Sequence, residues 1–387
     1  MDFALSEEQR MLTDSLARVM AQQWGFSERR ARFASGKLDR AAWQQLSDLG
    51  VSGLLVPEAC GGFGESPASM LVVHQTLGTG IVSEPVISSA VMAVTMLSAI
   101  EDQPVAAQWL GAHAQGQAVL AVAWQEAGER YSTEPLSTQL LADGDGFVLT
   151  GRKRYVWHGA GSDAMIVSAR LDGQMALVLV PTQAAGLTIE DYPTFDLARC
   201  ADVTFDNVRL DRSALLIQGE QARDVFAKGF DFAVTALCAH ACGAMQYLID
   251  VTTNYLKTRK QFGQPLISFQ VLQHRLAQML IEQEMALSST YVAAAALSDR
   301  DAAVRGKRVS MVKTEVANAA RQVGEEAVQL HGGMGVTDEL EVGDYFKRLV
   351  YIGNLLGDNN FHYARAQSLE ALVVTEAPQA TEATEAA

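Results

Sequence analysis

The spacing of apolar residues along the chain changes twice, and the first stretch is helical. Up to about residue 117, apolar positions such as Leu12, Leu16 and Val19 recur every three or four residues. This period predicts amphipathic helices. Ser6 and Gln9 form a capping-box signature just before the first of them. Residues 1–117 are therefore predicted to form an all-helical domain.

The middle of the chain has the pattern of strands. From about Val119 the apolar residues form continuous or alternating runs, which are typical of β-structure. The segments Asp-Gly-Asp-Gly at 143–146 and Asp-Gly at 172–173 are turn signals between such runs, and they predict hairpins. Residues 118–218 are thus predicted to form an antiparallel β domain.

The helical period returns near residue 219. One predicted helix runs to Arg259 and is broken by Gly263-Gln-Pro265, and a later apolar stripe ends at Gly332. We predict a four-helix bundle at 219–370, so that the fold class is α+β in the order helices, sheet, helices. The remaining residues, 371–387, contain no aromatic side chain and little apolar mass, which predicts disorder.

Composition and charge exclude several classes of protein. The 387 residues are 49% hydrophobic and 19% charged, with a net charge of −15, which disfavours a nucleic-acid partner because phosphates would be repelled. The four cysteines contain no C-x-x-C, so neither a disulfide framework nor a metal site is predicted. No secretory signal pattern and no charge-free apolar run of about 18–20 residues occurs. We therefore expect a cytoplasmic protein without a membrane span.

Two motifs in the C-terminal half suggest a nucleotide cofactor. They read R-K-Q-F-G-Q-P at 259–265 and Q-L-H-G-G-M-G at 329–335. Together with M-D-F-A-L-S-E-E-Q-R at 1–10 and L-V-P-E-A-C-G-G-F-G at 55–64, they closely resemble the acyl-CoA dehydrogenase flavoprotein family, over residues 1 to about 370. The resemblance implies α,β-desaturation of an acyl-CoA thioester, FAD as cofactor and an electron-transferring flavoprotein as electron acceptor.

The resemblance also assigns residues to the cofactor. In the family, FAD lies between the β domain and the C-terminal helices, and the two motifs reach its adenosine-diphosphate part from a neighbouring subunit. A guanidinium suits a diphosphate, and a glycine lets the backbone approach a ligand closely. Read in isolation, the first motif is better explained by a cation at a helix C-terminus and a core phenylalanine than by a ligand site, because such cations are common for dipole reasons alone. The family motifs correspond here to Arg259, Phe262, Gln270, Gln329, Gly332 and Gly333.

The segments that border the flavin ring depart from the family pattern. The usual T-E-P-G-A-G-S-D becomes Q-E-A-G-E-R-Y at 125–131, and W-I-T becomes Y-V-W at 155–157. Gln125 and Trp157 are the ring-side candidates that remain. Tyr155 fits an aromatic platform for the cofactor and an ordinary core position equally well.

The catalytic base of the family is missing. A carboxylate should remove the α-proton of the thioester, but the two family positions for it correspond to Leu356 and Ala233. Asp231 is a weak substitute, because two residues along a helix turn the side chain by about 200°. His240 lies on the same face as Ala233, but about 10 Å further along, and a hydrogen-bonded core histidine is the simpler interpretation.

Two functional classes therefore remain open. The first is an active FAD-dependent acyl-CoA dehydrogenase with an unassigned base. The second is a catalytically silent subunit that pairs with a base-carrying homologue or holds acyl-CoA structurally. The segment from His331 to Leu349 resembles the small-subunit type of bacterial heteromeric acyl-CoA dehydrogenases, such as those acting on pimeloyl-CoA. A flavin-free binding module is disfavoured because Arg259 and Gln329 are both present. A homo- or heterotetramer is expected, because a shared flavin site cannot be complete in one chain.

Overall fold

The computed structural model describes residues 5–128 and 130–376, with side chains up to residue 370. Its N-terminal part is helical, as predicted. The capping box at the first helix is confirmed, since the Ser6 hydroxyl accepts from the Gln9 amide and the Gln9 side chain accepts from the Ser6 amide. A π-helical segment, Ser88–Ala93, leads directly into α5. The helices are α1 (Glu7–Gln23), α2 (Phe26–Ala34), α3 (Arg40–Asp48), α4 (Pro67–Gly78), α5 (Val94–Ser98) and α6 (Pro104–Ala114).

The middle part forms one sheet, in the order β6-β7-β3-β2-β4-β5-β8, with β1 beside β4. Most neighbours are antiparallel. The predicted β domain is therefore confirmed, with two parallel exceptions: β1 runs parallel to β4, and β2 meets β4 in parallel at Gln139 and Arg170. The strands are β1 (Leu120–Ala123), β2 (Gln139–Asp143), β3 (Gly146–Trp157), β4 (Ala164–Leu171), β5 (Gln174–Pro181), β6 (Leu187–Pro193), β7 (Arg199–Asp211) and β8 (Leu215–Gln218).

The C-terminal part is again helical. A two-stranded hairpin of β9 (Lys260–Gln261) and β10 (Gln264–Pro265), which the sequence did not predict, forms the corner between the first two helices. The last helix continues past residue 370, where we expected disorder to begin, and residues 377–387 of that predicted tail lie outside the described residues. The helices are α7 (Glu220–Thr258), α8 (Gln270–Ala296), α9 (Ala302–His331), α10 (Val342–Ile352) and α11 (Asn359–Glu376).

Strands β1, β4 and β5 are buried on both faces of the sheet, which explains their continuous apolar runs. On β1, Leu120 and Val122 belong to the large core shared with the helices, whereas Ala121 and Ala123 belong to a second core on the opposite face. Successive residues of a strand point to opposite faces, so a strand between two cores must be apolar throughout. β1 therefore lies in the interior, between the helices and the outer strands.

Helix α7 is the central helix of the protein. It is long and apolar enough to span a membrane, but 83% of its most apolar 18-residue window is buried inside the protein. Burial against other helices explains this hydrophobicity without a lipid environment. α7 extends from the β domain to the far end of the bundle, so it connects the two regions described next.

Candidate functional site

A cleft of about 290 Å³ lies where the β domain meets the end of α10. Its walls combine residues of the π-helical segment, the sheet and the turn after α10. Aromatic walls of this kind suit a flat ring system. The rings that line the cleft belong to Trp124, Tyr131, Tyr155, Trp157 and Tyr351.

The backbone around this cleft adopts unusual conformations. Tyr131, Tyr155 and Leu356 line the cleft with φ angles of 66°, 54° and 54°, in the left-handed region that side-chain-bearing residues rarely occupy. Such residues typically cost 1–3 kcal/mol each and cluster at ligand sites. Three of them at one cleft therefore favour it as the functional site.

A buried ion pair supports the β side of the cleft. The Lys153 ammonium donates to the Glu126 carboxylate (2.7 Å), the Trp124 carbonyl (3.1 Å) and the Ser168 hydroxyl (3.0 Å). Burial alone would raise the pKa of Glu126, but the ammonium and the hydrogen bonds from Ser137 lower it to about 2. The pair thus holds the Trp124 backbone at the cleft wall.

Sequence analysis did not identify Glu126 or Lys153 as site residues. The sequence does contain an indication of this ion pair. Lys153 lies in β3 at a position that shares a buried face with Phe147 and Leu149. A lysine at an inward position of a strand requires a buried partner. The alternation of β3 could therefore have indicated this ion pair.

The predicted cofactor residues fall into two groups. Gln125 and Trp157 line the cleft. The other six lie on the solvent-exposed surface at the far end of the bundle, and Phe262 is 90% exposed. The alternative of a core phenylalanine is therefore wrong.

The exposed group is nevertheless compact. α7 and α9 run in the same direction, because α8 returns between them, so both helices end on one side of the bundle. There the Tyr255 hydroxyl donates to the His331 carbonyl (3.4 Å), and the two rings stack at 4.3 Å. Packing thus brings the R-x-x-F corner and the Gly332-Gly333 loop together. We call this surface the nucleotide patch.

The cleft and the nucleotide patch of one chain are far apart. The Phe230 ring of α7 lies 5.9 Å from the Trp124 ring at the cleft, whereas Arg259 follows the last residue of α7. At 1.5 Å per residue, the intervening helix is about 43 Å long. One dinucleotide cannot reach both groups of the same chain, so a shared ligand requires a second chain.

The two expected base positions differ in their surroundings. Leu356 lines the cleft, whereas Ala233 is fully buried in α7 and does not line it. Among the described residues that line the cleft, none is aspartate or glutamate. The described part of the cleft lining therefore offers no carboxylate base.

Asp231, the substitute considered from sequence, lies in a buried ionic cluster away from the cleft. It is fully buried and accepts hydrogen bonds from Arg305 (2.9 Å) and Arg365 (2.7 Å). The two guanidinium partners each bind one carboxylate oxygen and hold the side chain in place. Its geometry is that of a link between α7, α9 and α11.

His240 also lies in the core, but the expectation that it is hydrogen-bonded was wrong. It is fully buried in α7, and within the described part of the chain neither ring nitrogen has a hydrogen-bond partner. Burial lowers the pKa of its imidazole well below the usual value. His240 is therefore a neutral core residue with unsatisfied polar atoms.

The chain thus has three domains in the order helices, sheet, helices, with an aromatic cleft between the sheet and the C-terminal helices. Models of the acyl-CoA dehydrogenase N-terminal, middle and C-terminal domains match residues 6–117, 121–208 and 223–365. Together they cover most of the chain, which therefore belongs to the acyl-CoA dehydrogenase family.

Individual relatives are distant. The chain is 28% identical to (2S)-methylsuccinyl-CoA dehydrogenase of Cereibacter sphaeroides, over 77% of its own length and 58% of that relative's length. It is 28% identical to acyl-CoA dehydrogenase IpdE2 of Mycobacterium tuberculosis, over 88% of the chain and 91% of the relative.

The fold is shared with solved structures. A variant of the Tcur3481-Tcur3483 steroid ACAD has a TM-score of 0.85 at 27% identity, over 95% of this chain and 99% of that one. The ChsE4-ChsE5 complex from Mycobacterium tuberculosis has a TM-score of 0.85 at 25% identity, over 98% and 100%.

FAD is the cofactor of this family. Two features of the chain fit it. The cleft has aromatic walls, and at the nucleotide patch a Cβ built on Gly332 or Gly333 meets nothing within 4 Å, so that side is open to a ligand. No group of three or more potential metal-ligating side chains occurs among the residues that the structure describes.

Proposed function

We propose that this protein is a FAD-dependent acyl-CoA dehydrogenase subunit that acts in the α,β-desaturation of an acyl-CoA thioester. The observation that carries the proposal is the pairing of an aromatic cleft with a nucleotide patch that retains Arg259, Phe262 and Gly332. When bound, FAD supplies the acceptor for the hydride that leaves the β-carbon. An electron-transferring flavoprotein is the proposed electron acceptor, and the cytoplasm is the proposed location.

In this proposal the residues of the chain bind and orient. Gln125 and Trp157 border the flavin ring, and the Arg259 guanidinium of a second chain contacts the diphosphate. The side chain of Arg259 is exposed and has no ion-pair partner among the described residues, so it is free to take an anionic ligand. The aromatic walls exclude water from the reacting atoms.

The missing carboxylate favours a second candidate, a partner subunit without its own base. Leu356 stands where the resemblance expects glutamate, and Asp231 is held by Arg305 and Arg365. In a heteromeric enzyme of the small-subunit type, the base would belong to a homologous large subunit. Two related structures each combine two proteins, Tcur3481 with Tcur3483 and ChsE4 with ChsE5, which supports a mixed assembly for this chain.

An exposed apolar stripe on α8 supports assembly through the bundle. Val271, Ile281, Met285 and Val292 are each more than half exposed, and their spacing places them on one side of the helix. Apolar stripes of this kind mark protein–protein contacts. We propose that α8 lies at a subunit interface, which would bring the nucleotide patch of one chain to the cleft of another.

The first experiment measures flavin content. Purified protein, alone and with a base-carrying homologue, is reconstituted with FAD and its absorbance is recorded. We expect stoichiometric flavin in at least one of the two samples. Absence of flavin absorbance from both would refute the proposed function.

The second experiment separates the active enzyme from the silent subunit. We expect the lone chain to bleach FAD slowly or not at all under anaerobic conditions with a panel of acyl-CoA thioesters, since loss of a general base typically costs ~10²–10⁴-fold. Leu356→Glu should restore bleaching if the thioester binds in the cleft, whereas the matched control Leu355→Glu should not. Rapid bleaching by the unmodified lone chain would exclude the silent subunit.

A further inference from the structure

The turn between α10 and α11, residues 353–358, forms the wall that the C-terminal domain contributes to the cleft. Leu355 and Leu356 line the cleft from this turn. Leu356 and Gly357 have φ angles of 54° and 110°. A Cβ on Gly357 would lie 2.4 Å from Cδ1 of Phe361, so a larger residue does not fit there. A backbone of this kind persists only where surrounding groups hold it.

One buried cation holds both ends of that turn. The Lys313 side chain, on α9, is fully buried. Its Nζ donates to the carbonyl oxygens of Ile352 (2.9 Å) and Gly353 (3.4 Å) at the start of the turn, and of Gly357 (3.2 Å) near its end. The first two are C-terminal carbonyls of α10, where a cation also complements the helix dipole.

A second contact restrains the residue in the middle. Nε2–H of His362 donates to the Leu356 carbonyl at 2.9 Å, since a carbonyl can only accept. The carbonyls of Ile352, Gly353, Leu356 and Gly357 are thus all hydrogen-bonded. Leu355 and Leu356, between them, line the cleft. No carboxylate lies within ion-pair distance of Lys313 among the described residues. The ammonium is therefore dedicated to backbone carbonyls.

A purely apolar packing role does not account for Lys313. Burying an ammonium without a counter-ion is unfavourable, and an apolar side chain of similar length would fill the same space at lower cost. What only the ammonium provides is three N–H donors that converge on three carbonyls. Its distinctive contribution is thus the geometry of the turn.

We infer that Lys313 is a positioning residue of the cleft, which fixes Leu355 and Leu356 against the bound ligand so that the charge of its ammonium is coupled to ligand affinity. The identity of that ligand as FAD rests on the proposed function. The effect of the Lys313 charge on the geometry of the turn does not depend on that ligand and can be measured without flavin.

The coupling has a predicted pH dependence. Burial lowers the pKa of Lys313 to about 8, and loss of the proton leaves two N–H donors for three carbonyls. The groups that face Lys313 are Cys238, His362 and Asp358. Burial raises the pKa of Cys238 to about 12 and lowers the pKa of His362 to about 3, so neither titrates near pH 8. Affinity should therefore fall as pH rises through about 8.

The test uses the full chain reconstituted with FAD, with its homologous partner if that is required. The FAD dissociation constant and the visible circular dichroism of the flavin are measured across pH 6.5–9.5, a range of about 1.5 units on either side of the Lys313 pKa. For the wild type we expect about tenfold weaker binding across this range, roughly the contribution of one hydrogen bond from a charged donor. Lys313→Met should bind about tenfold more weakly at pH 7 and change less across the range, because only Lys153, whose pKa burial also lowers to about 8, still titrates beside the cleft wall.

Two further variants make the outcome specific. Lys313→Arg keeps a charge throughout the range and should show the same reduced change as Lys313→Met, but with tighter binding than Lys313→Met at high pH. Lys307→Met, the matched control on the exposed side of α9, should behave as the wild type. A wild-type profile that is flat through pH 8, or a Lys313→Met profile that equals the wild type, would overturn the inference.

A flavin-free measurement keeps the inference distinct from the proposed function. Acrylamide quenching of tryptophan fluorescence reports access to the tryptophans, of which Trp124 and Trp157 lie at the cleft. In the apoprotein, quenching should rise through pH 8 in the wild type and rise less in Lys313→Arg, where Lys153, whose pKa burial also lowers to about 8, still titrates beside Trp124. Failure to bind FAD with this difference present refutes the proposed function alone, and equal rises in the two proteins refute the role of Lys313.

Discussion

The buried pair of Glu126 and Lys153 offers the sharpest test of how the cleft is supported. The side chains of Glu126 and Lys153 are 2% and 0% exposed. Lys153→Met removes three hydrogen bonds and leaves a buried carboxylate without its counter-ion. Breaking one partner of such a pair typically costs 3–5 kcal/mol. We therefore expect the free energy of unfolding to fall by roughly 4 kcal/mol.

A double-mutant cycle separates the pair from ordinary packing. Glu126→Gln alone should also be strongly destabilising, because it leaves the Lys153 ammonium buried without a counter-ion. The double variant, Glu126→Gln with Lys153→Met, should cost less than the sum of the singles, since no unpaired charge remains. Urea unfolding of the apoprotein measures each value. The matched control is Arg209→Met, which breaks the exposed Arg209–Asp143 pair and should change stability by less than about 1 kcal/mol.

The same pair predicts how stability depends on pH. The pKa of Glu126 is lowered from 4.5 to about 2 in the folded protein. Its contribution is therefore complete between pH 4.5 and about 8, the pKa to which burial lowers Lys153, and is lost as pH falls from 4.5 towards about 2, a total of roughly 3 kcal/mol. Glu126→Gln should lack this component of the acid transition. The reasoning would be refuted if Glu126→Gln and Lys153→Met each lowered the free energy of unfolding by less than about 1 kcal/mol, if the two effects were additive in the double variant, and if Glu126→Gln left the acid transition unchanged.

Three further changes have defined outcomes. Arg259→Ala should weaken FAD binding by roughly 1.5–3 kcal/mol, or about 10–150-fold, in a fluorescence titration, while Lys260→Ala changes it little; equal effects would argue against a diphosphate contact. His240→Leu should raise the free energy of unfolding in urea by roughly 1–3 kcal/mol, because it removes two unsatisfied buried nitrogens. A lower free energy of unfolding would indicate an unrecognised hydrogen-bond partner of His240. Ile281→Asp should shift the oligomer towards smaller species in sedimentation velocity, whereas an unchanged assembly would exclude α8 from the interface.

Local patterns predicted the class of fold, and the resemblance of two motifs to the acyl-CoA dehydrogenase family implied the cofactor. Helical and strand periods depend on which face of each element meets the core, so the order helices, sheet, helices is written in the spacing of apolar residues. The corner at Arg259 and the loop at Gly332 were likewise recognisable, because a helix stop and close backbone approach each require particular residue types. The position of Leu356 in the cleft followed from simple counting along the motif.

Relations between distant residues needed the tertiary structure. The sequence shows an aspartate at 231, but only folding brings Arg305 and Arg365, more than 70 residues away, onto its two oxygens. Similarly, the parallel pairing of β1 with β4 and the three carbonyls around Lys313 arise from how elements pack. Periodicity specifies a face of an element but not its neighbour. Partner choice, and with it the electrostatics of the cleft, is therefore decided by packing in three dimensions.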